Sequence, residues 1–404
     1  MDKGIFAGLK VLDCASFIAA PAAATVLSDF GADVIKIEPP GTGDPYRNLP
    51  NLPGYPSGEH NFAWLLEARN KKSIALDLAK PEAQAVLYKL VAEADVFITN
   101  MPPPVRAKLG ITYDHLSHLN ERLIYASFTG YGETGPEANK PGFDATAWWA
   151  RTGLMDLVRA GEEVPPARSL PGMGDHPTAV TMYAMIVTAL LRRERTGKGT
   201  RVHTSLLANG AWANGCYVQA ALAGGTFERR EGTPPDPISP NRVLFETSDG
   251  RLLQLYMIRT HEELDGLLIA AGRPDLLVDE RFAAPAERAA NMRAFIAELH
   301  AMFATRTASE WLSVFGQTGV NVTPVAQMED IPTDGQLLAS GALVTPSDPS
   351  VEMPLILNHP LHIDGLQFVG PRRAPSLGEH TAEILAELGM STDSIADFQS
   401  RGIV

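Results

Sequence analysis

One aspartate, placed between two glycines and a long apolar segment, is the side chain of this sequence that is best placed for chemistry. Asp175 follows Gly172-Met173-Gly174 and precedes residues 176–195, whose Ala, Met and Leu content predicts a helix. The glycines allow close backbone approach and crowd the acid against the helix start, so Asp175 is a plausible N-cap residue, a role that needs no chemistry. A reactive carboxylate is the alternative interpretation of the same position. His176 likewise fits either a base or an ordinary residue at a helix start.

Patterns for metal, nucleotide and serine chemistry are not found in the sequence. The ten histidines have no tight ligand spacing, and two cysteines cannot build a zinc site, so no metal is predicted. The first strand-to-helix turn, residues 15–21, contains no Gly-x-Gly-x-x-Gly, so neither NAD nor FAD is expected. Residues 196–200 lack parts of a phosphate loop and read as a plain turn. No Gly-x-Ser-x-Gly surrounds Ser127 or Ser205, which argues against a serine hydrolase.

Composition limits the partners and the compartment. The chain has 47 acidic and 34 basic residues and a net charge of −13. This balance argues against general binding to nucleic acid or to membrane surfaces, because both are polyanions. No uncharged apolar stretch of about 18 residues occurs, so no membrane span is expected. Cys14 and Cys216 cannot form a disulfide framework and residues 1–4 lack a signal-peptide core, so we expect a cytoplasmic protein.

The elements that must position Asp175 follow a regular alternation in the first 130 residues. The predicted strands are residues 8–13, 33–38, 72–78, 95–99 and 123–128, and the predicted helices include residues 21–30 and 81–94. Strands separated by helices form βαβ units. The sequence therefore predicts an α/β fold with a mostly parallel, Rossmann-like sheet.

Two domains are expected, because 404 residues exceed what one hydrophobic core usually supports. Four prolines among charges mark a break over residues 226–242. Beyond it, a hairpin around Asp249-Gly250 and helices over residues 261–271, 290–304 and 308–316 are predicted, with a last helix over residues 381–389. We expect a large Rossmann-like domain over residues 1–225, completed by residues 330–404. Residues 226–329 are expected to form a smaller α+β domain with linkers.

Several segments, in order along the whole chain, resemble the class III CoA-transferases, the group of the formyl-CoA and carnitine CoA-transferases. The matching segments are residues 8–13 (GLKVLD), 31–41 (GADVIKIEPPG), 70–74 (NKKSI), 94–96 (ADV) with Asn100, 130–132 (GYG) with 135–136 (GP), 153–155 (GLM) and 378–381 (GEHT). The resemblance implies a CoA-binding large domain and an interlocked homodimer, in which each chain threads through its partner.

The resemblance places Asp175 at the catalytic aspartate of this family. It implies that the carboxylate, ionised at neutral pH, attacks an acyl-CoA thioester to give an acyl-aspartyl anhydride and then an aspartyl-CoA thioester. The acceptor carboxylic acid releases CoA from that thioester. Backbone amides near Gly172 and Gly174 are expected to face the developing oxyanions, in a site that excludes water.

Coenzyme A carries phosphates and a flat adenine, so its pocket needs cations and apolar surface. By family position the expected lining residues are Ile18, Ala19, Asn100, Met101, Lys108 and Lys140. The two lysines also fit ordinary solvated side chains. Pro39 stands where relatives often have an arginine, which puts one phosphate or adenosine contact in doubt. Ile18 replaces a glutamine of some relatives and no glycine-rich lid is visible in residues 226–260, so oxalate and formate are not expected substrates.

Residues 143–149 bear on the acyl pocket and on the rival activity of the same fold. Related α-methylacyl-CoA racemases have a histidine where Phe143 stands, and Phe143 cannot transfer protons, which disfavours racemisation. Trp148 and Trp149 are adjacent and cannot share one helix face. Either one packs in the core while the other walls an acyl pocket with Phe143, or both are core residues. A racemase-like isomerase and a non-catalytic acyl-CoA-binding protein are the alternatives to a transferase.

Overall fold

The computed structural model of the chain describes residues 4–51, 55–159, 161, 163–227, 239–255, 258, 260–318, 320–366 and 368–404. Its centre is a six-stranded sheet of order β3-β2-β1-β4-β5-β6, in which every neighbouring pair is parallel. The strands are β1 (Lys10–Asp13), β2 (Asp33–Glu38), β3 (Lys72–Ala75), β4 (Val96–Thr99), β5 (Ile124–Thr129) and β6 (Thr200–Ser205). The predicted α/β fold with a parallel sheet is confirmed.

Helices cover both faces of this sheet, which explains why β4 and β5 consist entirely of buried residues. The helices up to residue 222 are α1 (Ala19–Asp29), α2 (Phe62–Ala68), α3 (Pro81–Glu93), α4 (Pro103–Lys108), α5 (Tyr113–Ser117), α6 (Leu154–Leu157), α7 (Asp175–Thr196), α8 (Leu206–Ala213) and α9 (Gly215–Leu222). The strand order reverses between β1 and β4. In open parallel sheets the carboxyl ends of the strands at such a reversal are the usual place for a ligand.

The chain divides into two compact units. The first contains residues 1–159, 166–226 and 336–404, and the second contains residues 160–165 and 227–335. Residues 228–238, which make up much of the predicted linker, lie outside the described residues. They also belong to the segment 226–260, in which no glycine-rich lid was visible from the sequence, and residues 256, 257 and 259 of that segment are likewise not described.

The second unit has a small sheet and a helical core of its own. Its antiparallel sheet contains β7 (Leu244–Glu246), β8 (Leu252–Leu255) and β9 (Val322–Pro324). Its helices are α10 (His261–Ala270), α11 (Asp275–Val278), α12 (Pro285–Ala290), α13 (Met292–Phe303) and α14 (Ala308–Gly316). Phe245, Phe303 and Trp311 are buried at the centre of its apolar core.

The last part of the chain adds short elements to the first unit. They are α15 (Gly335–Ala339), the antiparallel pair β10 (Leu343–Val344) and β11 (Ile356–Leu357), α16 (Thr381–Glu387) and α17 (Thr392–Ser400). Ile384 and Leu385 of α16 are buried in the same apolar cluster as Leu87 of α3, so this segment completes the core on one face of the large sheet. Among the described helices, none is long and apolar enough to cross a membrane.

Candidate active site

A pocket of about 270 Å³ lies beyond the carboxyl ends of β1, β4 and β5. It is lined mainly by apolar side chains and backbone from the loops that follow these strands, together with one carboxylate, that of Asp175. Of the residues expected at the site, the pocket lining contains Ile18, Ala19, Asn100, Met101, Lys140, Phe143 and Asp175. The parallel sheet thus brings together segments that are far apart in the sequence.

Asp175 is the first residue of α7 and does not cap it. The N-cap residue is Gly174, and no side-chain hydrogen bond caps this helix. Within the described part of the chain, the Asp175 carboxylate has no hydrogen-bond or ion-pair partner. The N-cap interpretation therefore fails, and the carboxylate is held in the pocket without a structural bond of its own.

The surroundings of Asp175 disfavour its charged form. Burial raises the pKa of Asp175 to about 7, with a further increase from the negative charges of Asp144 and Glu67 and an opposing decrease from His176. Asp175 therefore ionises less readily than an ordinary aspartate, which is fully ionised at neutral pH.

His176, next to Asp175, is bound through both of its ring nitrogens. Its Nε2 lies 2.8 Å from Glu67 Oε1, and its Nδ1 lies 3.1 Å from the carbonyl oxygen of Gly172. Burial lowers the pKa of His176, but the hydrogen bond and charge of Glu67 outweigh that effect and the pKa is raised overall. The imidazole is therefore held in place through both of its ring nitrogens and is not a free base. Glu67 was not recognised from the sequence, since it lies 109 positions from His176.

The two glycines before Asp175 are required by packing. Gly172 has a φ of +83°, and a Cβ there would lie 3.0 Å from the His176 ring. A Cβ on Gly174 would lie 2.6 Å from the indole of Trp148. Among the described residues, no protein group accepts a hydrogen bond from the backbone amides of Gly172, Gly174 or Asp175. Three backbone donors at or within three positions of Asp175 are thus unpaired among the described residues.

The loop after β1 is held in an unusual conformation at the pocket. Phe17 has a φ of +66°, a region that non-glycine residues rarely adopt. Its N–H donates to Asp44 Oδ1 at 3.1 Å. The Asn100 side chain holds the preceding residue from both sides, since its Oδ1 accepts from Ser16 N–H at 2.9 Å and its Nδ2 donates to the Ser16 carbonyl at 2.6 Å. Asn100 thus shapes the pocket by fixing this loop.

Comparison with known proteins identifies the family of this chain. Residues 6–381 match the profile of CoA-transferase family III. The chain belongs to this family. It is 32% identical to the cinnamoyl-CoA:phenyllactate CoA-transferase of Clostridium sporogenes, over 98% of this chain and 97% of that protein. It is 31% identical to the succinyl-CoA:glutarate CoA-transferase of Mus musculus, over 94% of this chain and 86% of that protein.

A solved structure agrees with this assignment. The crystal structure of a CAIB/BAIF family protein from Brucella suis matches 96% of this chain and 100% of that chain, with a TM-score of 0.84 and 30% sequence identity. The resemblance read from the sequence is confirmed. As a family III CoA-transferase, the protein is an enzyme that takes CoA thioesters as substrates.

The lysines expected in the CoA-transferase pocket have different surroundings. Lys140 lines the pocket, where its Nζ pairs with Glu137 Oε1 at 2.8 Å and lies 4.9 Å from the centroid of the Tyr131 ring. Lys108 is the exposed last residue of α4 and is not among the lining residues. Pro39, where an arginine was considered, is exposed and directly follows β2.

Both tryptophans of this CoA-transferase are core residues. Asp144–Ala150 forms a π-helical turn, on which the rings of Trp148 and Trp149 stack with centroids 6.1 Å apart. Both side chains are buried, neither lines the described pocket, and Trp149 Nε1 donates to the Ala167 carbonyl at 2.9 Å. The structure therefore corresponds to the second of the two alternatives, with both rings in the core. Gly172 and Gly174 are likewise adjacent to the lining rather than part of it.

A buried charge network behind the pocket was not foreseen from the sequence. Lys36 Nζ lies 2.9 Å from Asp44 Oδ2 and 3.7 Å from Asp13 Oδ1, and it donates to the Ala15 carbonyl. Lys71 Nζ pairs with Asp13 Oδ2 at 2.9 Å. Asp13 and Lys36 stand within strand patterns that are otherwise apolar, and this is the signal that could have revealed the network. Its effect is to fix Asp44 and hence the Phe17 turn.

Proposed function

We propose that this enzyme transfers CoA from an acyl-CoA thioester to a carboxylic acid through covalent intermediates on Asp175. The observation that carries the proposal is the partly buried Asp175 carboxylate, which lines the pocket and has no partner within the described residues. An unpartnered carboxylate can act as a nucleophile, whereas one held in an ion pair is less available.

The proposed reaction balances with the two substrates and this one side chain. Asp175 attacks the thioester carbonyl, the C–S bond breaks, and an acyl-aspartyl anhydride and CoA thiolate form. The thiolate attacks the aspartyl carbonyl of the anhydride, which releases the donor acid and leaves an aspartyl-CoA thioester. The acceptor carboxylate then attacks this thioester, and the same steps in reverse deliver its CoA thioester and free Asp175.

Backbone donors support the stabilisation of charge in these steps. Each attack places negative charge on a former carbonyl oxygen, and preorganised N–H groups lower the barrier for such charge. The amides of Gly172, Gly174 and Asp175, which have no protein acceptor among the described residues, are the proposed donors. The apolar lining of the pocket supports the exclusion of water, which would otherwise hydrolyse the anhydride.

The pocket is the proposed binding site of the CoA thioester. Ile18, Ala19, Asn100 and Met101 supply its walls, and Lys140 supplies a positive charge for a phosphate. Lys108, exposed at the end of α4, is proposed as a second phosphate contact on the same side of β4. We also propose an interlocked homodimer as the working form, and a reducing cytoplasm as its compartment, which the free thiols of Cys14 and Cys216 support.

The test is to trap the covalent intermediate. Incubation with an acyl-CoA followed by hydroxylamine or borohydride should modify the peptide that contains Asp175 in the wild-type enzyme. Asp175→Ala should lose more than about 10³-fold in transfer, because the nucleophile is gone, and should retain CoA binding. The exposed Asp364 offers a matched control, whose replacement by alanine should leave both properties unchanged.

Each alternative predicts a different result in the same experiments. A racemase-like isomerase would exchange the α-proton of an acyl-CoA with deuterated water in the absence of any acceptor acid. A non-catalytic binding protein would bind acyl-CoA without adduct or transfer. Full transfer activity in Asp175→Ala would refute the proposed mechanism. The named activities of the relatives include both aromatic hydroxy acids and dicarboxylic acids, so the family alone does not decide the acid.

A further inference from the structure

Two phenylalanines present their rings at the pocket that contains Asp175. Phe17 and Phe143 form an edge-to-face pair with centroids 5.9 Å apart and an interplanar angle of 88°. Both line the pocket, and they remain 41% and 58% exposed. Apolar rings of this size usually pack away from water, so an exposed pair in a cleft is a ready surface for a ligand.

The Phe17 ring is placed there at a conformational cost. A non-glycine residue at a φ of +66° is strained, and such residues are concentrated at functional sites. The Asp44 carboxylate stabilises this strained conformation, because it accepts a hydrogen bond from Phe17 N–H. Asp44 is itself paired with the fully buried Lys36. Ile18 continues this apolar surface toward Asp175, since its Cδ1 lies 3.6 Å from the point where a Cβ on Gly172 would be.

The polar groups of the same lining are neutral or already engaged. The Asn100 amide is bound to Ser16 through both of its atoms, and the Thr129 hydroxyl accepts from Gly132 N–H at 2.9 Å. Lys140 carries the one positive charge among the described lining residues; it pairs with Glu137 and is assigned above to a phosphate of CoA. A ligand carboxylate beyond the one that reacts would therefore find no further cation among these residues.

The field at the reactive end is also unfavourable for a second negative charge. Asp144 is buried and its Oδ2 has no partner, and Glu67 is buried with an unpartnered Oε2. Both carboxylates act on Asp175 strongly enough to raise its pKa. His176 balances one of them through its contact with Glu67. A dianionic acid would add repulsion to this cluster without gaining a counterion.

We propose that the acceptor acid is a monocarboxylate with an aromatic or branched apolar side chain, which packs on the Phe17–Phe143 pair. This inference rests on the CoA transfer proposed above and names the substrate class of that same site. Dicarboxylic acids such as glutarate are disfavoured by their second charge, not by their size, because the described lining offers no cation besides Lys140.

Self-exchange tests this acid class without knowledge of the natural donor. Each ¹³C-labelled acid is incubated with its own unlabelled CoA thioester, and the label that enters the thioester is measured by mass spectrometry. The key pair is 5-methylhexanoate and glutarate, because an isopropyl group has nearly the shape of a carboxylate but no charge. We expect kcat/KM for 5-methylhexanoate and for 3-phenylpropanoate to exceed that for glutarate by at least about 10²-fold, the loss typical of one uncompensated charge.

A charge introduced at the aromatic pair should reverse the preference. In Phe143→Arg, the ratio of glutarate to 5-methylhexanoate exchange should rise at least about tenfold, because the guanidinium can pair with the second carboxylate. Ile363→Arg adds the same charge at a half-exposed residue outside the lining and should leave the ratio unchanged. A wild-type preference for glutarate, or an unchanged ratio in Phe143→Arg, would overturn the acid class alone. Absence of exchange with all three acids would instead contradict the transfer activity itself.

Discussion

At the scale of the residue, Asp175 combines two properties that are usually opposed. It lacks any bonding partner among the described residues, and its surroundings favour the protonated form, with the pKa raised to about 7 by burial and by Asp144 and Glu67. Only the ionised form can attack a thioester. A carboxylate destabilised in the resting enzyme loses charge when the acyl bond forms, so part of the cost of its burial is recovered in that step.

The raised pKa predicts how transfer depends on pH. Because the deprotonated form of Asp175 reacts, kcat/KM should rise with pH, reach half of its maximum near pH 7 and level off above about pH 8. An ordinary aspartate would give a plateau from about pH 5 upward. The measurement is the initial rate at low thioester concentration between pH 5 and pH 9.

Asp144→Asn provides the internal check on this profile. It removes the negative charge that contributes most to the raised pKa after burial, so the midpoint of the profile should move to lower pH. The exposed Asp364→Asn should leave the midpoint in place. A wild-type profile that is flat from pH 5 to pH 8 would show that Asp175 does not titrate in this range.

At the scale of the element, the strand-end loops around the pocket are joined by a buried arginine that does not line it. Arg106 of α4 donates to the carbonyls of Met101 and Phe128, at 2.5 and 3.4 Å, and these two residues belong to the pocket wall. Its guanidinium also pairs with Glu133 Oε1 at 2.7 Å. Arg106 thus connects the loop after β4 to the end of β5, and we regard it as a positioning residue.

Arg106→Met should therefore weaken substrate binding more than chemistry. We expect KM for the CoA thioester to rise about tenfold with kcat changed less than about threefold, and a loss of about 3 kcal/mol in unfolding free energy, because Glu133 loses its buried partner. Arg201→Met is the matched control, since the partly exposed Arg201 pairs with the other oxygen of Glu133 at 2.7 Å. It should cost less than about 1 kcal/mol and leave KM unchanged. Equal effects in both variants would contradict the positioning role.

Comparison of the predicted with the observed elements shows which structural features the sequence could predict and which it could not. Strands such as β2 and the long helix α7 were predicted to within one residue, because their apolar patterns and flanking glycines and prolines are local signals. Asp175 and several residues that line the pocket with it were named from the family resemblance, whose matching segments include the loops after the strands. Glu67 was missed, because its contact with His176 depends on how α2 packs, which no local pattern encodes. The burial of both Trp148 and Trp149 was left open, because a π-helical turn changes which side chains share a face.

At the scale of the whole molecule, one region of the first unit has large apolar side chains that the single chain leaves uncovered. Trp212 of α8 is 86% exposed, and Leu222 of α9 is 76% exposed. Exposed apolar surface of this kind is typical of an interface, and tryptophan is among the residues that contribute most to association. These side chains support the proposed homodimer, in which a second copy of the chain covers α8 and α9.

The dimer can be tested in two steps that separate association from threading. Light scattering should give twice the chain mass of 43.5 kDa for the wild type, whereas Trp212→Lys with Leu222→Lys should give monomer or fail to assemble, because charges would be buried in the interface. Val278→Lys, at a residue that is 79% exposed, is the matched control and should remain dimeric.

Differently tagged wild-type dimers, when mixed, should form no hybrids over days unless they are unfolded and refolded together, because threaded chains cannot separate while folded. Rapid formation of hybrids would rule out interlocking but leave a dimer, and a monomeric wild type would rule out both.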